Sequence, residues 1–317
     1  MLCILSPSNE PEFNLAAEEY LFRNFSDDIF FLYVNQASVV VGKHQNALAE
    51  INFKYIREHD IRVIRRLSGG GAVYHDLGNL NFSFHQTVAD TAKISFKSYN
   101  LPIIEVLKQW NVPAEISARN DIFVKGFKIS GHAEHVFRNR IMSHGTLLFN
   151  ANREMLSKSL KHESGSFTGK AIQSVRSKVA NIVDFLSETI AMDTFIQKIV
   201  VESLASPGIN SMYTLSESDI KKIRELAVEK YSTWAWNFGY SPKYRFEKAN
   251  KEGSVLFAFL VEKGMISEIE SVGEGLSELQ KKAVQQKMLN SPHKYESILQ
   301  QLSTPEINRP DLIECFF

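Results

Sequence analysis

Residues 65–76 read Arg65-Arg66-Leu67-Ser68-Gly69-Gly70-Gly71-Ala72-Val73-Tyr74-His75-Asp76. A mainly apolar run at 61–64 precedes them, and Leu80, Phe82 and Phe84 alternate with polar residues soon after them. This order predicts a strand, a loop and a second strand. Three consecutive glycines predict a backbone that needs positive φ or that approaches another group closely.

The arginines beside the glycines indicate that this other group is an anion. Backbone amides in such a turn form a concave anion site, and an arginine adds charge-assisted hydrogen bonds. A tight hairpin whose arginines face solvent is the alternative that this segment leaves open. The loop lacks the Lys-Ser/Thr ending of a P-loop and the spacing of the Rossmann glycines, so the site would be of another kind.

The composition predicts an ordinary globular protein. The chain has 317 residues, 44% of them hydrophobic and 23% charged, and its length predicts one large domain and a small one, or two of similar size. Its 36 basic and 36 acidic residues balance, so we expect no general attraction to nucleic acid or to a membrane surface. No segment has the length and hydrophobicity of a membrane span or a secretory signal. Cys3 and Cys315 lie at opposite ends without zinc spacing, and we expect a cytoplasmic protein.

Hydrophobic periodicity and turn residues predict an α+β fold with mixed, largely antiparallel sheets and flanking helices. We expect a first domain over residues 1–242 and a small α+β accessory domain over 246–317. The predicted strands of the first domain are 2–5, 29–34, 38–41, 80–85, 114–117, 121–124, 127–137 and 141–149. Its predicted helices are 15–25 with Asn14 as the cap, 49–58, 95–110, 193–206, and 217–231 with Ser216 as the cap and Asp219 three residues on. A loop is predicted at 166–178. The accessory domain has predicted strands at 244–247, 255–261 and 265–269 and helices at 276–289 and 293–302.

A second unusual segment surrounds Lys128. Phe127 and Ile129 would share one face of a strand, which places Lys128 on the other face. Gly131 would let a ligand or another backbone approach. A lysine there could hold a carboxylate and a phosphate together, whereas a solvated strand lysine is the other interpretation of this segment alone.

Taken together, these segments resemble the lipoate-protein ligase family. The matching motifs, in order, are Phe13-Asn14-Leu15-Ala16, Val40-Val41-Gly42 with Gln45-Asn46, the Arg65–Asn79 stretch, Arg119-Asn120-Asp121, Lys128-Ile129-Ser130-Gly131, His144-Gly145-Thr146-Leu147-Leu148, Val175-Arg176-Ser177 and Trp236-Asn237-Phe238-Gly239. They span most of the first 245 residues. A chance coincidence of so many ordered motifs is remote.

The resemblance implies a catalytic domain related to biotin-protein ligases, followed by a small accessory domain. It implies a ligase that uses ATP and Mg²⁺ to convert lipoate to lipoyl-adenylate. The acyl group would then pass to a lysine of a lipoyl-carrier domain, such as those of the E2 subunits of 2-oxoacid dehydrogenase complexes or of the glycine-cleavage H protein. We expect a monomer that binds neither nucleic acid nor membrane.

The resemblance also implies roles for individual residues. Lys128 would be catalytic and would contact the lipoate carboxyl and the adenylate phosphate, with Gly70 and Gly71 beside the lipoate. Asp121 would hold magnesium. The ATP and lipoyl-adenylate site would comprise Arg66, Gly71, Ala72, Val73, Tyr74, Asn79, Asp121, Lys128 and His144. These roles suit the chemistry, because attack of a carboxylate on an α-phosphate requires the developing charge to be offset.

Three residues depart from the family's pattern: Ala47 stands where proline is common, Ser143 where a second histidine is common, and His132 where a small residue is common. The lysine and the glycines are all present, so the departures concern the rim of the acyl pocket. For His75 and His144, hydrogen-bonded support and direct ligand contact both remain open.

Two other classes of function compete with the ligase. One is an octanoyl or lipoyl transferase of the same fold, which would use preformed acyl-adenylate or an acyl carrier. A transferase that works through a cysteine thioester needs an activated thiol, and both cysteines lie outside the motifs. The other is a non-catalytic lipoate-binding protein, for which Arg66, Lys128 and the glycines would be unnecessary.

Overall fold

The structure is a computed structural model that describes residues 1–89, 100–160, 167–175, 177–205, 211–249, 255–273 and 276–317. Some positions named in the predictions lie outside the described residues. They are the first residues of the helix predicted at 95–110, the start of the loop predicted at 166–178, Ser206 and Arg176. The described residues form two compact units. The first comprises residues 1–43, 61–157 and 174–232, and the second comprises 44–60, 158–173 and 233–317.

A six-stranded sheet is the centre of the first unit. Its strands lie in the order β10-β11-β6-β2-β1-β13. They are β1 (Leu2–Leu5), β2 (Ile29–Val34), β6 (Asn79–Thr87), β10 (His132–Phe137), β11 (Arg140–Leu148) and β13 (Ser211–Met212). The β10-β11-β6-β2 part is antiparallel, and β1 is parallel to both of its neighbours.

The two faces of strand β6 differ in polarity. Leu80, Phe82 and Phe84 of β6 belong to the main apolar core. Helices α4 (Leu101–Gln109) and α6 (Met192–Ala205) supply residues to this core. The residues between those three apolar residues point to the opposite face because strand side chains alternate. That face is polar yet buried, and it carries Asn79, Asn81, Ser83 and His85.

Helix α1 (Pro11–Asn24) contributes two buried glutamates to the first unit, and each pairs with a different element. Glu18 accepts a hydrogen bond from Tyr33 of β2. Glu19 accepts from Lys230 and Tyr231 in the π-helical turn Ala227–Tyr231, which continues α7 (Glu217–Leu226). These contacts hold α1 between the sheet and the α7 segment.

Two three-stranded sheets complete the first unit. One has the order β4-β3-β5, from β3 (Ser38–Val41), β4 (Arg62–Arg65) and β5 (Val73–His75). The other has the order β7-β8-β9, from β7 (Ala114–Ile116), β8 (Ile122–Val124) and β9 (Phe127–Ser130). The glycines lie between β4 and β5, so the strand-loop-strand order predicted around them is confirmed.

The second unit contains a four-stranded antiparallel sheet in the order β12-β14-β15-β16. Its strands are β12 (Phe167–Gly169), β14 (Tyr244–Ala249), β15 (Val255–Glu262) and β16 (Met265–Val272). Its helices are α2 (Ala47–Glu50), α3 (Phe53–Glu58), α8 (Glu278–Met288) and α9 (Tyr295–Leu302), with a 3₁₀ segment at Pro310–Phe316. Phe246, Phe259, Ile298 and Phe316 are among the residues of its own apolar core.

The prediction of an α+β fold with largely antiparallel sheets is confirmed, and the differences are local. The predicted strand 127–137 is two strands that separate at Gly131 and join different sheets. The predicted helix 49–58 is two short helices that separate at Ile51, which is buried and bridges to Leu160. Helix α5 (Arg153–Ser159) was not predicted.

Asn14 does not cap helix α1, which begins three residues earlier at Pro11. Its side chain donates to the carbonyl oxygens of Ser8 and Val34 and to Asn35 Oδ1 instead. The cap predicted for α7 is confirmed, because Ser216 and Asp219 form a reciprocal capping box.

The domain boundary predicted between 242 and 246 stays a prediction. Within the described part of the chain, no helix combines the length and the hydrophobicity needed to cross a lipid bilayer.

His293 makes the stability of the second unit depend on pH. It is buried; Nδ1 lies 2.7 Å from the Tyr244 hydroxyl and Nε2 lies 2.6 Å from the carbonyl oxygen of Phe316. Burial lowers the pKa of His293 from 6.5 to about 4. The unfolded chain therefore binds a proton at a higher pH than the folded one, and stability is lost as pH falls from about 6.5 toward 4.

We expect His293→Gln to flatten this dependence by up to about 1.4 kcal/mol per pH unit, the contribution of one titrating group. Hydrogen exchange of the α8 and α9 amides between pH 7 and 4.5 would measure it. His59→Gln, at an exposed histidine of the same unit, is the control and should keep the wild-type slope. An unchanged slope in His293→Gln would contradict the assignment.

Candidate functional site

The glycine loop, residues 66–72, is closely packed on one side. Gly70 has a φ of +87°, a conformation that favours glycine. A Cβ on Gly42, which follows β3, would lie only 2.1 Å from the carbonyl oxygen of Gly70. A Cβ on Gly71 would lie 2.9 Å from Ser174 Oγ, whereas a Cβ on Gly69 would meet nothing within 4 Å.

Arg66 lies inside this loop and bonds to its carbonyl groups. Its Nη2 donates to the carbonyl oxygens of Gly69 (2.5 Å) and Gly71 (2.8 Å), and its Nε donates to Ser68 Oγ (2.9 Å). Nη1 donates to the carbonyl oxygen of Val40 (3.1 Å). Burial lowers the pKa of Arg66 to about 10, so it stays protonated near neutral pH. The guanidinium of Arg66 therefore holds the loop, and its predicted contact with nucleotide phosphate stays a prediction.

Arg65 bonds to the backbone of the segment that follows β3, and its predicted contact with an anion stays a prediction. Its side chain is fully buried, and Nη1 donates to the carbonyl oxygens of Gly42 (2.9 Å) and Lys43 (3.1 Å). Arg65 is the last residue of β4, whereas Arg66 begins the glycine loop, and the two bond to different carbonyl groups. Arg65 thus fixes the segment that packs on Gly70.

Lys128 of β9 pairs with Asp121. Its Nζ lies 2.8 Å from Asp121 Oδ2, and the two side chains are 22% and 15% exposed. Asp121 Oδ1 accepts from the backbone N–H of His132 (3.1 Å), which fixes the carboxylate. An ammonium group has three donors, so Lys128 can keep this pair and still bind a ligand anion.

The structure brings Lys128 and the glycine loop to the same short segment, residues 131–133. A Cβ on Gly131 would lie 3.7 Å from Lys128 Nζ, and a Cβ on Gly70 would lie 3.9 Å from Ala133 Cβ. A second segment also contacts both, because Ser174 Oγ accepts from the Ala72 N–H (2.8 Å) and the Lys178 carbonyl accepts from the Lys128 N–H (2.8 Å). A cation and a loop of backbone amides are thereby held next to each other.

His144 is the centre of a buried hydrogen-bonded chain behind the loop. Its Nε2 lies 2.6 Å from Ser68 Oγ, and its Nδ1 lies 3.0 and 3.1 Å from the two carboxylate oxygens of Glu18. Glu18 Oε1 also accepts from the Tyr33 hydroxyl (3.2 Å). Both ring nitrogens of His144 are therefore engaged by the protein, which favours support over direct ligand contact.

His75 and Asn79 each have a buried polar atom without a partner among the described residues: Nε2 of His75 and Oδ1 of Asn79. Nδ1 of His75 lies 3.0 Å from Asn35 Nδ2, and Nδ2 of Asn79 donates to Asn81 Oδ1. Burial lowers the pKa of His75 to about 3, so the ring is neutral near pH 7. Unpaired buried polar atoms are rare, and both atoms suit hydrogen bonds to a ligand or to water.

The donor set around Asp121 fits a magnesium ion only together with a ligand. No group of three or more His, Cys, Asp or Glu side chains that could hold a metal occurs in the described ranges. Magnesium in nucleotide sites commonly takes one or two carboxylates plus phosphate oxygens and water. Asp121 can supply such a carboxylate, and the unpaired Oδ1 of Asn79 is an oxygen of the right kind.

The predicted site residues thus fall into two groups. Gly70, Asp121 and Lys128 border the 131–133 segment and Gly71 packs against Ser174, whereas Arg66 lies inside the loop and His144 behind it. Ala72 and Val73 contribute backbone at the end of the loop, and the Tyr74 hydroxyl turns toward Met155 Sδ (3.5 Å). The individual roles of these residues stay predictions.

Sequence reasoning missed Glu18, Ser68 and Tyr33. The sequence signal for Glu18 was a pair of acidic residues, Glu18-Glu19, between the apolar runs at 15–17 and 20–22. Ser68 lay within the quoted motif, but its spacing from His144 gives no sign that the two meet.

A family model described as the lipoyl protein ligase A/B catalytic domain matches residues 10–203 of the chain. Lipoate–protein ligase 1 of Staphylococcus aureus strain Mu50 is 38% identical over 298 residues, which cover 93% of this chain and 90% of that protein. Lipoate-protein ligase LplJ of Bacillus subtilis strain 168 is 40% identical over 272 residues, which cover 84% and 82%.

Solved structures show the same resemblance. A lipoate-protein ligase A bound with ATP has a TM-score of 0.65 at 28% identity and covers 75% of this chain and 98% of its own. Protein Ta0514 of T. acidophilum with bound lipoic acid has a TM-score of 0.63 at 28% identity, with the same coverages. A structure of a bi-partite lipoate protein ligase and its E2 lipoyl domain from Thermoplasma acidophilum has a TM-score of 0.62 at 26% identity and covers 75% and 96%.

The packing of the loop predicts different outcomes for neighbouring glycines. Gly70→Ala would place a side chain at φ +87° and a Cβ 3.0 Å from Arg66 Nη2. We expect a loss of about 1–2 kcal/mol in the free energy of unfolding, and at least about a ten-fold loss of activity because small displacements of a positioned group are costly. Urea unfolding and turnover would measure the two effects.

Gly69→Ala is the matched control, because its Cβ would enter open space without positive φ. It should retain nearly full stability and activity. Equal losses in the two variants would contradict the role assigned to the Gly70 conformation.

Proposed function

The chain belongs to the lipoyl protein ligase A/B family, and we propose that it joins lipoate to protein lysines with ATP as the activating substrate. In the first step a lipoate carboxylate oxygen attacks the α-phosphorus, and pyrophosphate leaves. In the second step the amine of an acceptor lysine attacks the acyl carbon of lipoyl-adenylate. AMP then leaves, a proton is released and an amide forms.

The observation that carries this proposal is the position of Lys128 beside the glycine loop. The 131–133 segment contacts both, so the ammonium group and the backbone amides can act on one ligand. A mixed anhydride of a carboxylate and a phosphate has its two acidic groups joined at one oxygen. A site of this composition matches it, and the ATP-bound and lipoate-bound relatives support the same substrates.

Lys128 offsets negative charge that builds up during adenylation. The attacking carboxylate and the α-phosphate both carry negative charge, and their approach is opposed unless a cation lies between them. Asp121 and the His132 N–H orient the ammonium group before the substrate arrives. Such preorganised groups need no rearrangement during reaction.

In this proposal the backbone from Gly71 to Tyr74 lines the adenylate, and Gly70 and Gly71 lie beside the lipoate. Magnesium, when bound with ATP, would neutralise charge on the departing pyrophosphate. Asp121 and Asn79 are the residues that we propose to hold it.

The acceptor that we propose is a lipoyl-carrier domain of an E2 subunit or of H protein. The archaeal neighbour described with its E2 lipoyl domain supports the first of these. We further propose that the protein acts as a monomer in the cytoplasm. Its two free cysteines, Cys3 and Cys315, suit a reducing compartment.

A transferase that acts through a cysteine thioester is disfavoured by the positions of the cysteines. Cys3 is fully buried in the apolar core, and burial raises its pKa to about 11. Burial also raises the pKa of Cys315, which is partly buried and packs against the apolar core of the second unit. Nucleophilic cysteines need a lowered pKa, and neither has one.

Pyrophosphate release tests the proposed function. Purified protein mixed with lipoate and ATP should release pyrophosphate, and addition of a lipoyl-carrier domain should yield AMP and lipoylated carrier in equal amounts. Acylation of the carrier without ATP, from an acyl carrier protein, would instead identify the transferase. Lipoate binding with neither product would identify a binding protein.

We expect Lys128→Ala to lower the adenylation rate by about two to three orders of magnitude, as loss of one preorganised donor typically does. The fold should persist, because Asp121 keeps its bond to the His132 N–H and is partly exposed. Lys108→Ala, at an exposed lysine of α4, is the control and should adenylate at the wild-type rate. A folded Lys128→Ala protein of near wild-type activity would refute the assignment.

A further inference from the structure

Glu18 and Glu19 are adjacent on helix α1, equally buried, and turned toward different partners. Glu18 is 2% exposed and bonds to His144 and Tyr33, on the side of the glycine loop. Glu19 is 3% exposed and bonds to Arg23, Lys230 and Tyr231. Glu19 therefore contacts cationic side chains directly, whereas Glu18 is linked to the cation of Arg66 through a chain of hydrogen bonds.

The two ends of this chain have a fixed direction. Arginine can only donate, so Ser68 Oγ accepts from Arg66 Nε. At the other end a carboxylate offers only acceptors, so Nδ1 of His144 donates to Glu18. Nε2 of the same ring lies 2.6 Å from Ser68 Oγ and joins the two ends.

The far end of the chain acts on the peptide groups of the glycine loop. Arg66 Nη2 bonds to the carbonyl oxygens of Gly69 and Gly71. In a trans peptide the N–H points opposite to the C=O, so the N–H groups of Gly70 and Ala72 are directed away from Arg66. Ala72 agrees with this geometry, because its N–H meets Ser174 Oγ.

We propose that Glu18 is a positioning residue for the adenylation step: through His144 and Ser68 it fixes Arg66, and through Arg66 it fixes the direction of the loop amides. This rests on the proposed function, and it assigns Glu18 no contact with substrate.

The charge of Glu18 also matters to Arg66. The guanidinium is 6% exposed, and a buried cation needs a compensating anion nearby. Glu18 is the foremost group that raises the pKa of Arg66 against the effect of burial. The carboxylate of Glu18 thus supplies both a fixed hydrogen-bond acceptor and a negative charge that compensates Arg66. A glutamine amide has no charge and can supply only part of the acceptor function.

The test compares Glu18→Gln with Glu19→Gln in the full chain. Glutamine is isosteric with glutamate, but its amide N–H₂ group can donate to His144. This would reverse the direction of hydrogen bonds in the chain. Glu18→Gln should lower kcat for pyrophosphate release about ten-fold with KM for ATP and lipoate changed less than about three-fold, because a displaced group slows the chemistry. Glu19→Gln should lower the melting temperature at least as much and keep kcat within about two-fold.

A double-mutant cycle with Ser68→Ala shows whether the effect travels through the chain. If Glu18 acts through Ser68, changing both residues should cost little more than changing one. The kcat of the double variant Glu18→Gln with Ser68→Ala should then lie within about two-fold of the kcat of the slower single variant. Glu19→Gln combined with Ser68→Ala should show the product of the separate effects. If Glu18→Gln does not fold, Glu18→Asp replaces it in the same cycle, since it keeps the charge but shortens the reach to His144.

The proposal would be overturned if the losses of kcat in Glu18→Gln and Ser68→Ala multiplied in the double variant. It would also be overturned if Glu18→Gln and Glu19→Gln had equal kcat. Wild-type protein that releases no pyrophosphate would instead refute the proposed function, and the two failures are therefore distinguishable.

Discussion

The hydrogen bonds from the buried Arg66 guanidinium to the carbonyl groups of Gly69 and Gly71 are the interaction on which the site depends. A loop of consecutive glycines has little conformational preference of its own, and it would lose much entropy on becoming ordered. Arg66 donates several hydrogen bonds to the loop at once, and one more to the hydroxyl oxygen of Ser68. The cation is tolerable in the interior because Glu18 compensates it through a short chain of polar groups.

The site combines parts from all three sheets of the first unit. The glycine loop connects strands of the β4-β3-β5 sheet, Lys128 lies in the β7-β8-β9 sheet, and His144 lies in the six-stranded sheet. Gly131 is the junction, because the chain leaves one sheet and enters another there. Its N–H and C=O both bond to Thr146, so the turn is fixed from the β11 side. Groups on paired strands can hold a ligand more precisely than groups on loops.

The polar face of β6 shows how much of the interior is committed to hydrogen bonding. Asn79, Asn81, Ser83 and His85 alternate with Leu80, Phe82 and Phe84, a pattern typical of a strand with one solvated face. In the structure all seven are buried. On a strand with a solvated face, the polar side chains would meet water. Here helix α1 instead contributes Glu18 to the polar surroundings of His144. A buried polar surface is retained where its groups have partners or a ligand to bind.

The sequence by itself determined the α+β class, most strand positions, the glycine loop and the family resemblance, and it predicted Lys128 as a site residue. These properties depend on local periodicity, turn chemistry and ordered motifs, all of which are legible along the chain. It could not distinguish Arg65 from Arg66 in their contacts, because adjacent arginines differ only in what surrounds each of them in the folded chain. Nor could it join Glu18, Ser68 and His144, which are separated by up to 126 residues. Only the tertiary structure decided these contacts, because a hydrogen bond depends on distance and direction in space rather than on separation along the chain.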